Sequence, residues 1–343
     1  MMKAMLLKKI SAIGKNRTPL EMAEFPHPVA GEKEILVAVS TCAVCHTELD
    51  EIEGRTPPPR FPVIPGHQVV GTVVENGTHA HRFKQGCRVG IAWIFSACGA
   101  CPLCRDGKEN LCQSFLATGR DAHGGYAQFM TVHEDFAYPI PGLFSDSQAA
   151  PLLCAGAIGY RSLTLTALKN GQNIGLTGFG ASAHLVLKMI QHTYSGVNVF
   201  VFARNEKERS FAVQLGAVWA GDIGDPSPVK LDAVIDTTPA WKPVVEALQN
   251  LQSGGRLVIN AIRKEKHDKH YLLNVDYPAH LWMEKEIKSV ANVTRRDVRN
   301  FLQLAAEIPI TPEVQEYSLE DANTALVELK HRTIRGAKVL KIG

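Results

Sequence analysis

The chain has 343 residues, of which 45% are hydrophobic and 21% charged, and its net charge is +3 with histidine neutral. This composition excludes a disordered or fibrous chain, the length suits two domains, and the absence of a basic block argues against a nucleic-acid partner. No apolar run reaches the roughly 18 residues of a membrane helix, and the first apolar stretch is too short for a signal peptide, so we expect a cytoplasmic protein with no membrane partner.

The first part of the chain, up to about residue 150, is predicted to form short strands joined by turns. The stretches EILVAVSTCAVC (34–45) and QVVGTVVENG (68–77) are rich in β-branched residues and are bounded by turn residues. The segment RTPPPRFPVIPG between them is excluded as a central strand because proline donates no hydrogen bond to a sheet. We therefore expect a mostly β domain with long loops.

Beyond residue 151 apolar strands alternate with helical patterns. The predicted strands are NIGLTGFG, which ends in glycines, VNVFVFARN, LDAVIDTT and RLVINAI, and the predicted helices are ASAHLVLKMIQHTYSG, EKERSFAVQLGA and WKPVVEALQNLQSGG. This alternation predicts βαβ units and a parallel sheet. A helix, RRDVRNFLQLAAE, and a strand, AKVLKIG, follow, and periodicity does not indicate which domain they join.

A glycine-rich turn follows the first strand of this second part. Gly178, Gly180 and Ala183 match the pattern G-x-G-x-x-G/A, between a strand and a helix. In this context the first glycine permits a tight turn, and the second lets the backbone approach a pyrophosphate at the N-terminus of the helix. The turn predicts a dinucleotide site.

The end of the next strand indicates which nucleotide binds. It reads Ala203, Arg204, Asn205, with no carboxylate before Glu206 to bind a ribose 2′-hydroxyl. Arg204, with Asn205 and with Arg209 as a further candidate, is suited to a 2′-phosphate because the guanidinium donates two parallel hydrogen bonds. The sequence therefore favours NADP over NAD, with a solvated turn arginine as the alternative.

Half of the eight cysteines lie in one short loop. Cys98, Cys101, Cys104 and Cys112 supply four thiols, the number that a closed tetrahedral zinc site requires. Such a site has no open position for substrate, which predicts a structural metal; an iron–sulfur cluster is the alternative. In the cytosol clustered cysteines hold metal more often than they form disulfides.

The other cysteines are candidates for a second metal centre. They are Cys42, Cys45, Cys87 and Cys154. A catalytic zinc keeps three protein ligands and one exchangeable position. Spacing alone does not indicate which of these cysteines meet or which histidine joins them.

Several motifs occur together in a characteristic order. They are CHTE, GHQVVG, the four-cysteine loop, PLLCAGAIGYRSL and GFGASA. In these motifs and in their order, the chain resembles the zinc-dependent medium-chain alcohol dehydrogenases over essentially its whole length. The resemblance implies an α/β protein with a GroES-like catalytic domain at 1–150, completed by 292–343, and a Rossmann domain at 151–291. It also implies a homo-oligomer, either a dimer or a tetramer.

The resemblance assigns a catalytic zinc to Cys45, His67 and Cys154. It implies that Thr47 relays the alcohol proton and that Glu48 supports the zinc-bound histidine. The zinc would polarise an alcohol oxygen, and the nicotinamide would exchange the hydride.

Other roles come from the same resemblance. His46 and Arg295 are expected to contact the cofactor pyrophosphate, and Trp93 is expected to narrow the substrate pocket. An ordinary core aromatic is the alternative for Trp93, as a solvated arginine is for Arg295.

The chain departs from the usual pattern near the metal. Gln68 replaces the glutamate that commonly follows the zinc histidine, and Glu48 is one methylene longer than the usual aspartate. Asp50 stands where some members have a histidine at the outer end of the proton relay; a carboxylate can accept a proton there but is less basic.

Together these features predict a zinc- and NAD(P)-dependent alcohol dehydrogenase for primary or small secondary alcohols and aldehydes. A dehydrogenase of the same fold for polyols or bulky, cinnamyl-like aldehydes is the alternative. A more distant alternative is a non-catalytic binding or structural protein that retains the fold.

Overall fold

The computed structural model describes residues 1–308, 310–331 and 336–343, with the backbone alone for Ala181. The chain divides into two compact units. One comprises Met1–Cys154 together with Thr294–Gly343, and the other comprises Ala155–Val293. The sequence-based boundaries were after residues 150 and 291.

The described residues form short strands in both units, with α-helices between many of them. The strands are β1 (Met2–Leu6), β2 (Glu21–Phe25), β3 (Glu34–Val44), β4 (Gln68–Asn76), β5 (Arg88–Ile91), β6 (Ile94–Ser96), β7 (Leu116–Ala117), β8 (Phe129–His133), β9 (Ala137–Pro139), β10 (Asn173–Thr177), β11 (Asn198–Phe202), β12 (Trp219–Gly221), β13 (Leu231–Asp236), β14 (Leu251–Ile259), β15 (Glu286–Ser289), β16 (Val314–Ser318) and β17 (Ala337–Lys341). The α-helices are α1 (His46–Ile52), α2 (Pro102–Arg105), α3 (Asp146–Pro151), α4 (Ala157–Thr166), α5 (Ala181–Thr193), α6 (Glu206–Gln214), α7 (Lys242–Asn250), α8 (Arg295–Glu307) and α9 (Ala322–Lys330).

The first unit is built on a mostly antiparallel sheet. Its strand order is β16-β17-β3-β4-β5-β9, and β8 pairs with β3 beside this path. The C-terminal strand β17 runs antiparallel to β3, with Lys338 opposite Val44 and Lys341 opposite Thr41. The last residues of the chain therefore join the first unit, a placement that strand and helix periodicity left open.

A buried lysine ties the C-terminal elements of this unit together. Lys338 is only 1% exposed, and its Nζ donates to Gln315 Oε1 at 3.0 Å, Tyr317 Oη at 2.5 Å and Glu328 Oε2 at 2.5 Å. Burial lowers the pKa of Lys338, but the bonds to Glu328 and Tyr317 outweigh it, so the pKa lies above its ordinary value. The bonds fix β17 to β16 and α9 because each donor of the ammonium has an acceptor.

The second unit is a parallel sheet with the strand order β12-β11-β10-β13-β14-β15. Thr177 at the end of β10 is aligned with Phe202 of β11 on one side and with Asp236 of β13 on the other. This is the doubly wound order, in which the strand order reverses between the first and fourth strands and nucleotides bind at that point. The predicted fold class, a β-rich domain plus a Rossmann sheet, is confirmed.

One predicted boundary in this unit is wrong. The helix predicted to run to residue 255 ends at Asn250, and β14 begins at Leu251. Gly254 has φ +71°, a left-handed conformation that no helix interior adopts, and Gly255 follows it. The short strands β12 and β15 were not predicted. In the described part of the chain, no helix has the length and apolar character needed to cross a membrane.

Candidate active site

Cys45 and Glu48 form the start of helix α1. Cys45 is the N-cap, and its Sγ accepts a hydrogen bond from Thr47 N at 3.3 Å. Glu48 Oε2 accepts in return from Cys45 N at 2.8 Å, so the two residues form a capping box. This reciprocal pair fixes the direction of the Cys45 thiol.

His67 is placed by the glycine that precedes it. Gly66 has φ +98°, and a Cβ there would lie 2.4 Å from Tyr126 Cδ1 and 2.8 Å from Cys42 Sγ. Only glycine fits this position. His67 Nδ1 then lies 2.5 Å from Glu48 Oε1, and Nε2 lies 3.7 Å from Cys45 Sγ.

Cys154 lies in a π-helical turn, Leu152–Gly156, between helices α3 and α4. Such turns insert an extra residue and redirect the side chains that follow, and they are frequent at functional sites. The ligand atoms of Cys45, His67 and Cys154 lie within 4.8 Å of one another. The structure therefore brings together the three residues that spacing could not connect.

The donor set fits a zinc ion with an open position. A carboxylate only accepts hydrogen bonds, so Glu48 requires a proton on His67 Nδ1 and leaves Nε2 free to bind a metal. Burial lowers the pKa of His67, but Glu48 and Cys45 raise it well above its ordinary value. The hydrogen bond with Cys154 and burial raise the pKa of the Cys45 thiol. A coordinated metal reverses these directions, because it takes thiolates and a neutral imidazole.

The other residues predicted near this centre lie on helix α1 or beside it. Thr47 is half-buried and His46 is exposed. Asp50 is buried, and its Oδ1 accepts from Arg55 Nε at 2.5 Å, so one oxygen of this carboxylate is already paired with an arginine. Gln68 is buried and begins β4 directly after His67.

Trp93 lies between β5 and β6 and is 8% exposed. Its ring centroid is 5.2 Å from that of Phe115, and the Arg120 guanidinium lies 5.4 Å from the indole ring. Arg120 Nη2 in turn lies 2.7 Å from Asp121 Oδ2. Trp93 is therefore held by packing and by a cation–π contact, which restricts its movement.

The four-cysteine loop lies between β6 and β7. Cys98, Cys101, Cys104 and Cys112 are free thiols whose sulfur atoms lie within 4.8 Å of one another. Cys101 N donates to Cys98 Sγ and Cys104 N donates to Cys101 Sγ, each at 3.4 Å. Backbone donors lower the pKa of Cys98 to about 6, which favours the thiolate that metals bind. The loop provides a closed, all-sulfur donor set.

Arg295 begins helix α8 and contacts the segment that ends the four-cysteine loop. Its backbone N donates to Glu109 Oε1 at 2.6 Å, and its Nε lies 3.1 Å from the same oxygen. Arg295 Nη1 also lies 3.4 Å from Asp135 Oδ2, and the guanidinium covers the Phe136 ring at 5.1 Å. In this arrangement the side chain predicted to contact a pyrophosphate is paired with two carboxylates of its own unit.

The glycine-rich turn has the geometry of a nucleotide site. Gly178 has φ +76°, and a Cβ there would lie 2.9 Å from Thr237 Oγ1. Gly180 is the N-cap of α5, and a Cβ at this position would meet no atom within 4 Å among the described residues. Ala183 is fully buried in the helix behind it. The turn thus leaves open space at the N-terminus of a helix, where phosphate oxygens can approach the backbone.

The three residues between β11 and α6 include one basic group and no acidic group. Ala203 is buried, and Arg204 and Asn205 are exposed, with Asn205 Oδ1 capping helix α6 by accepting from Lys207 N at 2.9 Å. Arg209 Nη1 donates to Ala203 O at 2.8 Å and to Arg204 O at 3.0 Å. Arg209, which sequence reasoning gave only a supporting role, therefore holds the loop that carries Arg204.

Comparisons with known proteins show which family the chain belongs to. Residues 31–142 match the model of the alcohol dehydrogenase GroES-like domain. A probable alcohol dehydrogenase, AdhA, of Mycobacterium tuberculosis is 44% identical over 329 residues, which are 94% of this chain and 93% of the relative. The chain belongs to the alcohol dehydrogenase family. An alcohol dehydrogenase of Geobacillus stearothermophilus is 31% identical over 347 residues, covering 97% of this chain and 99% of that one.

The fold of this alcohol dehydrogenase is similar over nearly its whole length to that of a solved structure. A cinnamyl alcohol dehydrogenase of Sorghum bicolor superimposes with a TM-score of 0.84 at 25% identity, over 99% of this chain and 97% of that chain. The predicted family and the predicted class of enzyme, an oxidoreductase acting on alcohols with a nicotinamide nucleotide, are confirmed.

Proposed function

We propose that this alcohol dehydrogenase interconverts small primary or secondary alcohols and their carbonyl compounds, with a catalytic zinc held by Cys45, His67 and Cys154. The observation that carries the proposal is the convergence of these three donors within 4.8 Å, with Glu48 orienting the histidine. Three protein ligands are the number found in catalytic zinc sites, where the fourth position is left for substrate or water.

The residues around the proposed metal have separate roles in the reaction. When bound, zinc supplies Lewis-acid polarisation of the substrate oxygen, and the nicotinamide supplies the hydride acceptor or donor. The thiolates of Cys45 and Cys154 would balance the charge of the zinc ion, and Glu48 would keep the proton of His67 on Nδ1. Thr47, two residues after Cys45, can accept the alcohol proton and donate its own proton onward. Asp50 is the predicted outer end of this relay, although its ion pair with Arg55 lowers its availability.

The same proposal includes a structural zinc and a pyrophosphate site. Cys98, Cys101, Cys104 and Cys112 would bind the structural ion, giving a content of two zinc ions per chain. Backbone groups at Gly178 and Gly180 would bind the pyrophosphate of the cofactor. Trp93 is proposed to limit the width of the substrate pocket.

The proposed cofactor is NADP rather than NAD. No carboxylate stands at the end of β11 to bind a ribose 2′-hydroxyl, and the exposed Arg204 is available to pair with a 2′-phosphate. Arg209 supports this because its bonds to the carbonyls of Ala203 and Arg204 fix the loop before the cofactor arrives. Preorganisation of this kind lowers the entropy lost on binding.

Replacing Arg204 by alanine is expected to raise the Kd of NADPH by about tenfold to a hundredfold. The variant loses charge-assisted hydrogen bonds to the 2′-phosphate, and the free energy of such bonds corresponds to this change in Kd. The Kd of NADH should change by less than about twofold, because NADH has no 2′-phosphate. Titration of both cofactors by isothermal calorimetry measures the difference. Lys169→Ala is the matched control, since Lys169 is exposed and lies before β10, at the amino ends of the parallel strands and not at the carboxyl ends where Arg204 lies. Equal weakening of both cofactors would remove the preference for NADP.

A homo-oligomer is also proposed. In the described residues, large apolar side chains are exposed on and before the edge strand β15: Leu273 is 88% exposed, Trp282 55%, Met283 52% and Ile287 48%. Exposed apolar groups on and near an edge strand are typical of surfaces that another copy covers.

The decisive experiment measures metal and turnover on the same preparation of purified protein. We expect two zinc ions per chain by elemental analysis and oxidation of NADPH with an aldehyde, followed at the absorbance of the reduced cofactor. The aldehyde panel includes short aliphatic, cinnamyl-like and polyol-derived compounds. A clear preference for the cinnamyl-like group, which the likeness to the sorghum enzyme favours, would replace the small-alcohol proposal. One zinc and no turnover with either cofactor would indicate a non-catalytic protein that retains the fold.

A further inference from the structure

A buried ion pair lies at the carboxyl ends of the parallel strands in the second unit, and no step of the proposed function uses it. Asp236 ends β13 and is fully buried, and its partner Lys264 has an 8% exposed side chain. Lys264 belongs to the segment 260–268 that follows β14. Sequence reasoning missed both residues. The available signal was an aspartate at the end of an apolar strand, a position that requires a buried partner.

Among the described residues, both carboxylate oxygens of Asp236 and the Nζ of Lys264 have polar partners. Asp236 Oδ1 accepts from Thr177 Oγ1 at 2.6 Å, from Thr238 Oγ1 at 2.8 Å and from Thr238 N at 3.2 Å, while Oδ2 contacts Lys264 Nζ. Lys264 Nζ also donates to Thr238 O at 2.8 Å and to Ala240 O at 3.0 Å. We call Thr177, Asp236, Thr238 and Lys264 the Asp236 hub.

The Asp236 hub adjoins the glycine-rich turn. Thr177 is the residue before Gly178, and Thr237, which lies between Asp236 and Thr238, donates its N and its Oγ1 to Thr177 O, each at 3.0 Å. The Thr237 hydroxyl is also the atom that a side chain at Gly178 would strike. The groups nearest to Gly178 are therefore those of Thr237 and Thr238, not those of the charged pair Asp236 and Lys264.

The strand order indicates which half of a dinucleotide lies beside the hub. The ribose-recognition residues follow β11, so the adenosine half belongs on the β10–β11 side of the switch point. The other half, with the nicotinamide, then belongs on the side of β13 and β14. This is the side from which the segment 260–268 leaves the sheet.

The segment 260–268 is bonded to the ends of these strands and to the loop after β13. Asn260 N donates to Asp236 O at 2.7 Å, and Glu265 N donates to Pro239 O at 2.8 Å. Asp268 Oδ2 accepts from the backbone N of Trp241 at 2.7 Å and of Lys242 at 2.9 Å. Lys264 lies between these anchors and adds the ionic contact with Asp236.

We propose that Lys264 is a positioning residue for the nicotinamide half of the cofactor, because its bond to Asp236 holds the segment 260–268 at the carboxyl edge where that half binds. The inference rests on the proposed function. A buried ion pair contributes little net stability compared with apolar residues of similar size, so a positional role explains its presence better than a stabilising role does.

The test separates the two halves of the cofactor. Lys264→Met keeps the length of the side chain and removes the charge, and adenosine 2′,5′-bisphosphate is the probe that lacks the nicotinamide. In isothermal calorimetry we expect the variant to bind NADPH at least about tenfold more weakly, with less than about twofold change for the bisphosphate. The kcat should fall with the NADPH affinity. Lys266→Met is the matched control because Lys266 is exposed and lies two residues further along.

A second variant covers the outcome in which Lys264→Met does not fold. Asp236→Asn combined with Lys264→Met removes both charges and leaves no buried carboxylate without a cation. We expect this double variant to retain the wild-type affinity for the bisphosphate and to lose affinity for NADPH. Equal weakening of both ligands, or unchanged NADPH affinity in a folded variant, would overturn the proposal. Wild-type protein that binds the bisphosphate but no complete cofactor would overturn the proposed function instead, and with it the role of Lys264.

Discussion

Replacing Cys154 by serine is expected to remove one metal ion per chain and to lower kcat by at least about a thousandfold, because a lost Lewis acid costs several kcal/mol of transition-state stabilisation. The serine hydroxyl has nearly the shape of the thiol, so packing in the turn Leu152–Gly156 is retained. It is a poor zinc ligand because it is not deprotonated near neutral pH. Cys45 and His67 alone leave the site with two protein ligands.

The measurement combines elemental analysis, steady-state kinetics and thermal unfolding of the same variant. Cys87→Ser is the matched control, since Cys87 is half-buried and belongs to neither thiol cluster. It should retain both metals and full turnover. A Cys154→Ser protein that keeps two metals and normal kcat would exclude Cys154 as a ligand, whereas loss of turnover together with unfolding would point to a role in packing.

The two proposed metal centres differ in how far sequence predicts them. The four-cysteine site is local: its thiols share one loop, and the backbone between Cys98 and Cys104 is short enough that N–H groups reach the sulfur atoms. Spacing is therefore sufficient. The other centre depends on distant elements, on a position 66 that only glycine fits and on a π-helical turn at Cys154. No local pattern encodes that turn, and only the family resemblance selected its cysteine.

The second unit shows the same limit. Its strands and helices could be predicted because each carries its own apolar period, and the turn at Gly178 has a local signature. The bond between Asp236 and Lys264 could not be predicted, since it joins the end of one strand to the segment after another. For Arg295, the resemblance suggests a phosphate contact. In the structure its side chain pairs with Glu109, which lies far away in the sequence.

Replacing Cys104 by serine is expected to destabilise the protein without removing its catalytic centre. The loop has little regular structure of its own: α2 spans Pro102–Arg105, and a single turn of 3₁₀-helix spans Glu109–Leu111. A metal that links four points of such a loop supplies folding free energy directly. We expect the free energy of unfolding to fall by at least about 3 kcal/mol, which is large for a single substitution.

The destabilisation should reach helix α8 through Glu109. This carboxylate is buried and accepts from both the backbone N and the Nε of Arg295, at 2.6 and 3.1 Å, so an ordered loop fixes the first residue of the helix. Chemical denaturation measures the loss of stability, and hydrogen exchange at the start of α8 measures its spread. Arg105→Ala is the matched control, because Arg105 is exposed in the same loop and carries no sulfur.

The kinetics of Cys104→Ser distinguish a structural metal from a catalytic one. Because four thiols complete a tetrahedral site, no substrate atom can bind there, and kcat per folded molecule should stay within about twofold of the wild-type value. Elemental analysis should find one zinc per chain, held by Cys45, His67 and Cys154. If the variant kept its stability and both metals but lost turnover, the four-cysteine site would have a part in catalysis, and the assignment of roles to the two centres would have to be exchanged.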